Sequence, residues 1–363
     1  MRIAWVLYGS LEQRTGGTIY DAHVVEGLRA AGDDVHVVSI ERSEASDEEM
    51  AGLALAARIR GIDPEIVVGD ELCFRELGIA FRKLGDGEAR PRRVLLVHHL
   101  TAWELELSPV RRGSIRAAEG CAIDASDGVI VTSRTTKERL VREGVREGIE
   151  VVLPGADRLR ESESESESES ESESESGGGS EGARFVFVGA VVARKRVLEL
   201  VTAFARGAHG HGRLAIVGSI THDRGYVATV RDSIGALGIG ERVVIAGEVD
   251  ERGVARALAR ADVLVMPSTL EGYGIAATEA IYAGVPVIAA RAQGLEEALA
   301  PCPDATLFVD DEDALASALE RFASDRALRA TMTAAARAAS SRMPTWSRCA
   351  EQFRTALGVS STR

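Results

Sequence analysis

Aromatic residues make up only 4% of the 363-residue chain, and it holds just 9 Pro and 4 Cys. The four cysteines, Cys73, Cys121, Cys302 and Cys349, are scattered without a C-x-x-C pair. That spacing indicates neither a disulfide framework nor a zinc site, and buried free thiols are the expectation. No apolar run approaches the roughly 20 residues that a bilayer-spanning helix needs. The opening Met1-Arg2-Ile3-Ala4-Trp5-Val6-Leu7-Tyr8 is too short for a signal-peptide core and runs straight into a Gly-Ser turn. It reads as a strand, and the expected location is the cytoplasm. Basic residues are also in the minority: 43 Lys and Arg stand against 56 Asp and Glu, a net charge of −13. No basic surplus argues for nucleic-acid binding, and none is expected.

What is present is the material of an ordinary globular chain. Hydrophobic residues are 45% and charged residues 27%, enough apolar substance for two cores, and the length predicts two domains. An alternating Glu-Ser tract over residues 161–176 carries eight of the negative charges, which leaves −5 for everything else. With the Gly177-Gly178-Gly179-Ser180 run that follows, this stretch has no apolar residue to offset the entropy of ordering. It reads as a solvated, disordered spacer over residues 158–183, with phosphorylation or calcium binding as the alternatives.

On either side of the spacer, short β-branched runs bounded by Gly, Pro or Asp alternate with amphipathic stretches. The first half offers strands over 3–8, 35–40, 65–69, 94–98, 129–132 and 151–153, with helices over 18–31, 47–59 and 134–143. The second offers strands over 185–188, 214–217, 243–246, 263–266, 285–289 and 307–309, with helices over 197–205, 226–237, 254–259 and 275–283. Such alternation predicts parallel sheets with crossover helices. Runs such as Phe-Val-Phe-Val and Val-Leu-Val-Met do not alternate with polar residues, as expected of strands buried on both faces. The expected class is therefore α/β, with two Rossmann-like doubly wound domains facing across a cleft: residues 1–157, completed by a C-terminal helix within 343–363, and residues 184–342.

In open α/β sheets ligands bind beyond the carboxyl ends of the strands. The most informative such place follows Val263-Leu264-Val265-Met266 and reads Pro267-Ser268-Thr269-Leu270-Glu271-Gly272-Tyr273-Gly274-Ile275-Ala276-Ala277-Thr278-Glu279, then Ala283-Gly284-Val285-Pro286-Val287-Ile288. Gly272 and Gly274 allow backbone to approach a ligand closely. A helix opening near Gly274 aims N–H groups and a positive dipole end at phosphate. Glu271 can accept hydrogen bonds from sugar hydroxyls, and Glu279 from the two hydroxyls of a ribose. An acid capping a helix and another on a solvated face is the bland alternative.

This segment resembles the E-x7-E signature of retaining glycosyltransferases of the GT-B fold, family 4, down to the Ala-Gly-Val-Pro-Val-Ile entry into the next strand. The resemblance implies transfer of a sugar from a nucleoside-diphosphate-sugar donor, such as a UDP- or GDP-sugar, to an acceptor hydroxyl. It implies Tyr273 and Ile275 as further donor contacts. Val188-Gly189-Ala190-Val191-Val192-Ala193-Arg194-Lys195-Arg196 is similar to the family's Gly-Arg…Lys-Gly loop, with Lys195 on the family Lys. Ala190 stands where the family has Arg and Arg196 where it has Gly, so Arg194 is the candidate for the missing guanidinium. A solvated basic loop is the competing reading. Thr15-Gly16-Gly17-Thr18 resembles the Gly-Gly loop that approaches donor phosphate, and His98 matches the family His near the donor sugar, with His99 beside it.

Three further segments carry the resemblance at lower density. Arg291-Ala292-Gln293-Gly294-Leu295-Glu296-Glu297 resembles a loop that shapes the cleft floor. Leu153-Pro154-Gly155-Ala156-Asp157 is similar to the segment before the domain crossover, and the helix at Trp346 to the one that packs back on the first domain. The catalytic set implied is His98, Glu271 and Lys195. No cofactor or metal is expected. Asp311-Glu312-Asp313 precedes a helix and reads as an N-cap, and His209-Gly210-His211 as a Gly-rich loop. A nucleotide-sugar-binding protein without transferase activity and a sugar epimerase on the same fold are the alternatives. A nicotinamide dehydrogenase is disfavoured, since Tyr8-Gly9-Ser10 lacks the G-x-G-x-x-G spacing. The acceptor is unnamed by the sequence, and peripheral membrane contact stays open.

Overall fold

The computed structural model describes residues 1–41, 47–85, 90–145, 148–159, 182–208 and 212–358. The chain divides into two compact units, Met1–Pro154 with Trp346–Arg363, and Gly155–Thr345. The spacer tract and the His209-Gly210-His211 loop lie outside the described residues.

Unit 1 is built from β1 (Arg2–Tyr8), α1 (Gly16–Ala30), β2 (Asp34–Ile40), α2 (Glu48–Ile62), β3 (Ile66–Asp70), α3 (Phe74–Lys83), β4 (Arg92–Val97), α4 (Pro109–Asp124), β5 (Gly128–Val131), α5 (Arg134–Arg142) and β6 (Ile149–Val151). Its strands form one sheet in the order β2-β1-β3-β4-β5-β6, every pairing parallel. Ile3, Ala4, Trp5, Val6 and Leu7 are all fully buried, the signature of a strand covered on both faces. The order reverses between β1 and β3, which places a switch point there.

Unit 2 continues with β7 (Ala183–Val188), α6 (Val197–Gly207), β8 (Gly212–Val217), α7 (Arg224–Ala236), β9 (Val243–Gly247), α8 (Glu251–Arg260), β10 (Val263–Met266), α9 (Ile275–Tyr282), β11 (Val287–Ala290), α10 (Gln293–Leu299), β12 (Thr306–Val309), α11 (Glu312–Ser324) and α12 (Arg326–Ala339). Its sheet runs β12-β11-β10-β7-β8-β9, again all parallel. Alternate strand residues feed two cores. Phe185, Phe187, Val263 and Val265 pack with Phe204 and Phe322 on one face. Val186, Leu264, Met266 and Val287 pack with Ala277 and Leu295 on the other. That is the period of two expected of a pleated strand, and it explains why these runs are apolar throughout. The switch point of this sheet lies between β7 and β10.

Helix starts follow local chemistry. Thr15 and Thr18 close a capping box at α1, Ser108 caps α4 ahead of a Pro in its first turn, and Ser133 caps α5. Asp311, not Asp313, caps α11 by accepting from the Ala314 N–H at 2.8 Å. The last helix, α13 (Trp346–Ala356), belongs to unit 1. Its Trp346 stacks on His23 with ring centroids 4.3 Å apart, and its Phe353 packs on Trp5 at 5.4 Å.

Several expectations are corrected. Helices α3, α4, α10 and α12 were not anticipated, and Arg291–Glu297, expected as a loop, is helical from Gln293. Arg158 and Leu159, placed in the spacer by the sequence reading, are packed into unit 2, and Ala183 already lies in β7. Of the four free cysteines, Cys121 is exposed while the others are buried.

Candidate functional site

The switch point of unit 2 brings together the two loops singled out by sequence. Just beyond β7 and β8, Gly189 and Gly218 adopt φ of 152° and 140°, and a Cβ on Gly218 would stand 2.0 Å from the Gly189 carbonyl. No side chain fits between these backbones. Residues Ala193–Lys195 then make one 3-10 turn. The Arg194 carbonyl accepts from the Thr269 N–H at 2.9 Å and from its hydroxyl at 3.2 Å, while the Arg194 guanidinium donates to the Leu270 carbonyl at 3.2 Å. The β7 and β10 loops are thereby stitched side by side.

That stitching places the Lys195 ammonium directly on the Glu271 carboxylate. Both side chains are nearly sealed, 12% and 8% exposed. Burial, with the Arg194 charge beside it, holds the Lys195 ammonium below its ordinary value against the pull of Glu271. Burial pushes the Glu271 carboxyl up, but Lys195 and Arg194 outweigh it and keep it below its ordinary value. The pair is an ammonium and a carboxylate. Lys has three donors, so contact with Glu271 leaves others for an anion.

Beside this pair α9 opens at Gly274, whose φ is 102° and whose would-be Cβ lies 2.5 Å from Leu295. Gly274 caps the helix without a side chain, so the first-turn N–H groups are not covered by the usual Ser, Thr or Asp oxygen. Gly294 has the same kind of necessity: a Cβ there would strike the Glu271 carbonyl at 2.4 Å. Gly272 and Ile275 are half-buried, whereas Tyr273 is buried at 6% exposure. The sequence reading gave Gly294 no such role, because its necessity appears only once α10 is seen against the loop. Arg196, on the family's Gly position, adopts φ 53° and ψ 40°, the left-handed region that favours Gly.

Glu279 lies one face deeper in α9 and is 2% exposed. Both its oxygens are engaged by Arg158, at 2.7 Å to Nε and 3.0 Å to Nη2, and the same guanidinium reaches Glu251 at 3.1 Å. Burial pushes the Glu279 carboxyl up, and the Arg158 charge only partly offsets it. Arg158, which holds the candidate Glu279, was missed by sequence reasoning. The only signal for it was its place directly after the Pro-Gly-Ala-Asp segment.

In unit 1, His98 follows β4 and enters a buried acidic cluster. Its backbone N–H donates to Glu71 at 3.0 Å, its Nε2 lies 3.4 Å from Asp21 Oδ1, and its ring meets Tyr20 edge-on at 5.3 Å. Burial alone would lower its pKa, but Glu71, Asp21 and Asp70 raise it to about 10. His99 instead faces Glu104 at 3.6 Å. Gly17 is required here, since a Cβ would stand 3.1 Å from the His98 ring, whereas nothing crowds Gly16. Asp21, Asp70 and His98 bring their ligand atoms within 4.8 Å of one another, the one group among the described residues with the makings of a metal site.

Two parallel six-stranded sheets with reversed strand order each gather their loops at a switch point. The fold is GT-B. Residues 169–339 match the family described as Glycosyl transferases group 1. The chain superposes on sucrose-phosphate synthase from Thermosynechococcus elongatus with a TM-score of 0.79 at 22% identity, covering 98% of this chain and 97% of that one. HepE from Anabaena, solved with UDP-glucose, gives 0.76 at 17% identity over 99% of each. Among curated proteins, a D-inositol 3-phosphate glycosyltransferase from Xylanimonas cellulosilytica is 34% identical over 132 residues, 36% of this chain and 31% of that protein. The chain spans less than half the length of the curated relatives it matches. No helix among the described residues is long and apolar enough to cross a membrane.

Proposed function

We propose that this GT-B protein is a retaining glycosyltransferase that takes a sugar from a nucleoside-diphosphate-sugar donor and passes it to an acceptor hydroxyl. The observation that carries the reading is the Lys195–Glu271 pair at the β7/β10 switch point, beside the glycine-opened start of α9. The donor diphosphate lies against the α9 N-terminus, with Lys195 and Arg194 neutralising it as it leaves. Glu271 positions the sugar. Glu279, held by Arg158, keeps lone pairs for the ribose hydroxyls, because a carboxylate offers about four acceptor sites and the guanidinium fills two. Gly272, Tyr273, Gly274 and Ile275 shape the backbone around the donor.

In the reaction the bond from the anomeric carbon to the diphosphate oxygen breaks with its electron pair staying on the diphosphate. A new bond forms from that carbon to the acceptor oxygen, whose proton passes to the departing phosphate or to solvent. Charge neutralisation by Lys195, Arg194 and the helix means this step uses no metal at the diphosphate. The GT-B likeness and the family match support the reading, and HepE, solved with UDP-glucose, suggests UDP-glucose as a first donor to try.

The test is turnover of UDP- and GDP-sugars by the Lys195→Ala and Glu271→Gln variants. Each is expected to lose on the order of 100- to 1,000-fold in kcat, the scale of deleting one preorganised charge-stabilising group. Turnover within a few-fold of the parent protein would remove both assignments. A nucleotide-sugar binder without transfer would bind the donor and release no nucleoside diphosphate.

A further inference from the structure

The loop that carries Lys195 is held from two sides. On one, the Arg194 carbonyl accepts from Thr269 of the β10 loop. On the other, the Gly189 N–H donates to the Val217 carbonyl at 2.8 Å and the Val191 N–H to the Ser219 carbonyl at 2.9 Å. These last bonds fix only the loop's beginning, against the end of β8. Its far end needs a separate hold, because Arg196 stands there with φ 53° and ψ 40°. A residue with a Cβ resists that left-handed conformation and keeps it only where its surroundings over-determine it.

Helix α6 begins at the next residue, Val197, and Arg196 offers it no side-chain cap. The first N–H groups of a helix have no partner within it. Tyr226 supplies one from α7: its hydroxyl oxygen accepts from the Leu198 N–H at 3.0 Å, with the Val197 N–H beside it. Tyr226 is itself fixed. Its backbone N–H donates to the Asp223 carboxylate at 2.9 Å, and its half-buried ring packs against the core that contains Phe204. Within the same turn Arg196 reaches Glu199 at 3.2 Å.

We propose that Tyr226 is a positioning residue for the Lys195 ammonium. Its hydroxyl pins the first turn of α6, and the pinned turn holds the strained Arg196 and, one residue earlier, Lys195 on Glu271. The lever is short: only Arg196 separates Lys195 from the helix whose N–H groups Tyr226 satisfies, so a slip of that turn carries the ammonium off the carboxylate. Tyr226 acts through the loop and not on the donor. The value of the device for catalysis rests on the transferase reading. The placement of Lys195 by Tyr226 does not, because it concerns the folded protein alone.

The test reads Lys195 directly and then turnover. Lys195 is one of three lysines, with Lys83 and Lys137, so acylation of each by an amine-reactive ester can be followed on the full chain by peptide mass spectrometry. Tyr226→Phe removes the acceptor and keeps the ring. In it Lys195 is expected to acylate about ten-fold faster, the scale of leaving a buried N–H without its partner, while Lys83 and Lys137 keep their rates. With a donor that the parent protein turns over, kcat of the variant is expected to fall about ten-fold and KM to change less. Adding Arg196→Gly, which takes the left-handed turn without strain, is expected to bring labelling and kcat part of the way back, a rescue that a merely structural role would not give. Should Tyr226→Phe fail to fold, replacing Tyr226 by difluorotyrosine weakens the acceptor and keeps the shape, and an intermediate labelling rate is expected. Lys195 labelling or kcat within about two-fold of the parent protein, or faster labelling of all three lysines together, overturns the proposal. The labelling change without turnover by the parent protein supports the placement and counts against the transferase reading alone.

Discussion

Lys195 and Glu271 hold each other in a nearly dry pocket, so each depends on the other for its charge. Removing one partner leaves an uncompensated buried ion, which costs several kcal/mol, on the order of 3–5, where the survivor cannot reach water. Lys195→Ala should therefore lower stability as well as turnover, and a Lys195→Ala, Glu271→Gln double variant should melt above either single one. Additive melting losses would contradict that coupling. Glu279 makes a second case. Its carboxyl is already pushed up by burial, and Arg158→Gln takes away the charge that restrains it. As pH is lowered, donor binding by the variant should begin to fall at a higher pH than binding by the parent protein, because a protonated Glu279 no longer accepts with both oxygens. A binding isotherm at each pH decides it, and a flat profile in the variant would count against the role given to Arg158.

Glu119 offers a residue-scale test away from the proposed site. Burial pushes its carboxyl up to about 7, and one of its oxygens has no hydrogen-bond partner. The folded state therefore holds a proton that the unfolded chain releases near pH 4.5. This contribution to stability is full below that pH and is lost as pH rises through about 7. Glu119→Gln should flatten the decline in denaturant midpoint between pH 5 and 8. An unchanged slope would refute the assignment.

At the scale of elements, the glycines of unit 2 set where the loops can run. Gly294→Ala would drive a methyl into the Glu271 carbonyl, 2.4 Å away, so α10 or the loop must move. The expected outcome is a stability loss of about 1–3 kcal/mol, the usual scale of overpacking, with a larger loss of donor affinity. Urea midpoints and donor titration check the two separately. The strands were legible because buried β-branched runs leave little else for them to be. Glu271, Glu279 and Lys195 were legible because their flanking glycines and prolines repeat a family pattern. Helix α4 was missed because only Ile115, Glu119 and Ala122 of its sixteen residues are buried, too thin a stripe to register as periodicity. The Asp70 and Glu71 contribution to the His98 cluster was invisible for a different reason. It depends on β3 and β4 being neighbours, and spacing along the chain says nothing of that.

At the scale of the whole molecule, each unit carries its own switch point, and the chemistry proposed for the donor belongs to unit 2. Hydrogen exchange with saturating UDP-glucose or another accepted donor should slow amides in residues 193–196 and 270–276 most, since those backbones meet the diphosphate. Protection confined to other segments would relocate the donor. The most direct test of the central claim is release of nucleoside diphosphate from a panel of UDP- and GDP-sugars, compared between the parent protein and Lys195→Ala. The account predicts that at least one donor is turned over by the parent protein and that the variant slows that turnover by about 100-fold or more. Equal release by both proteins, or none from any donor by the folded parent protein, would contradict it.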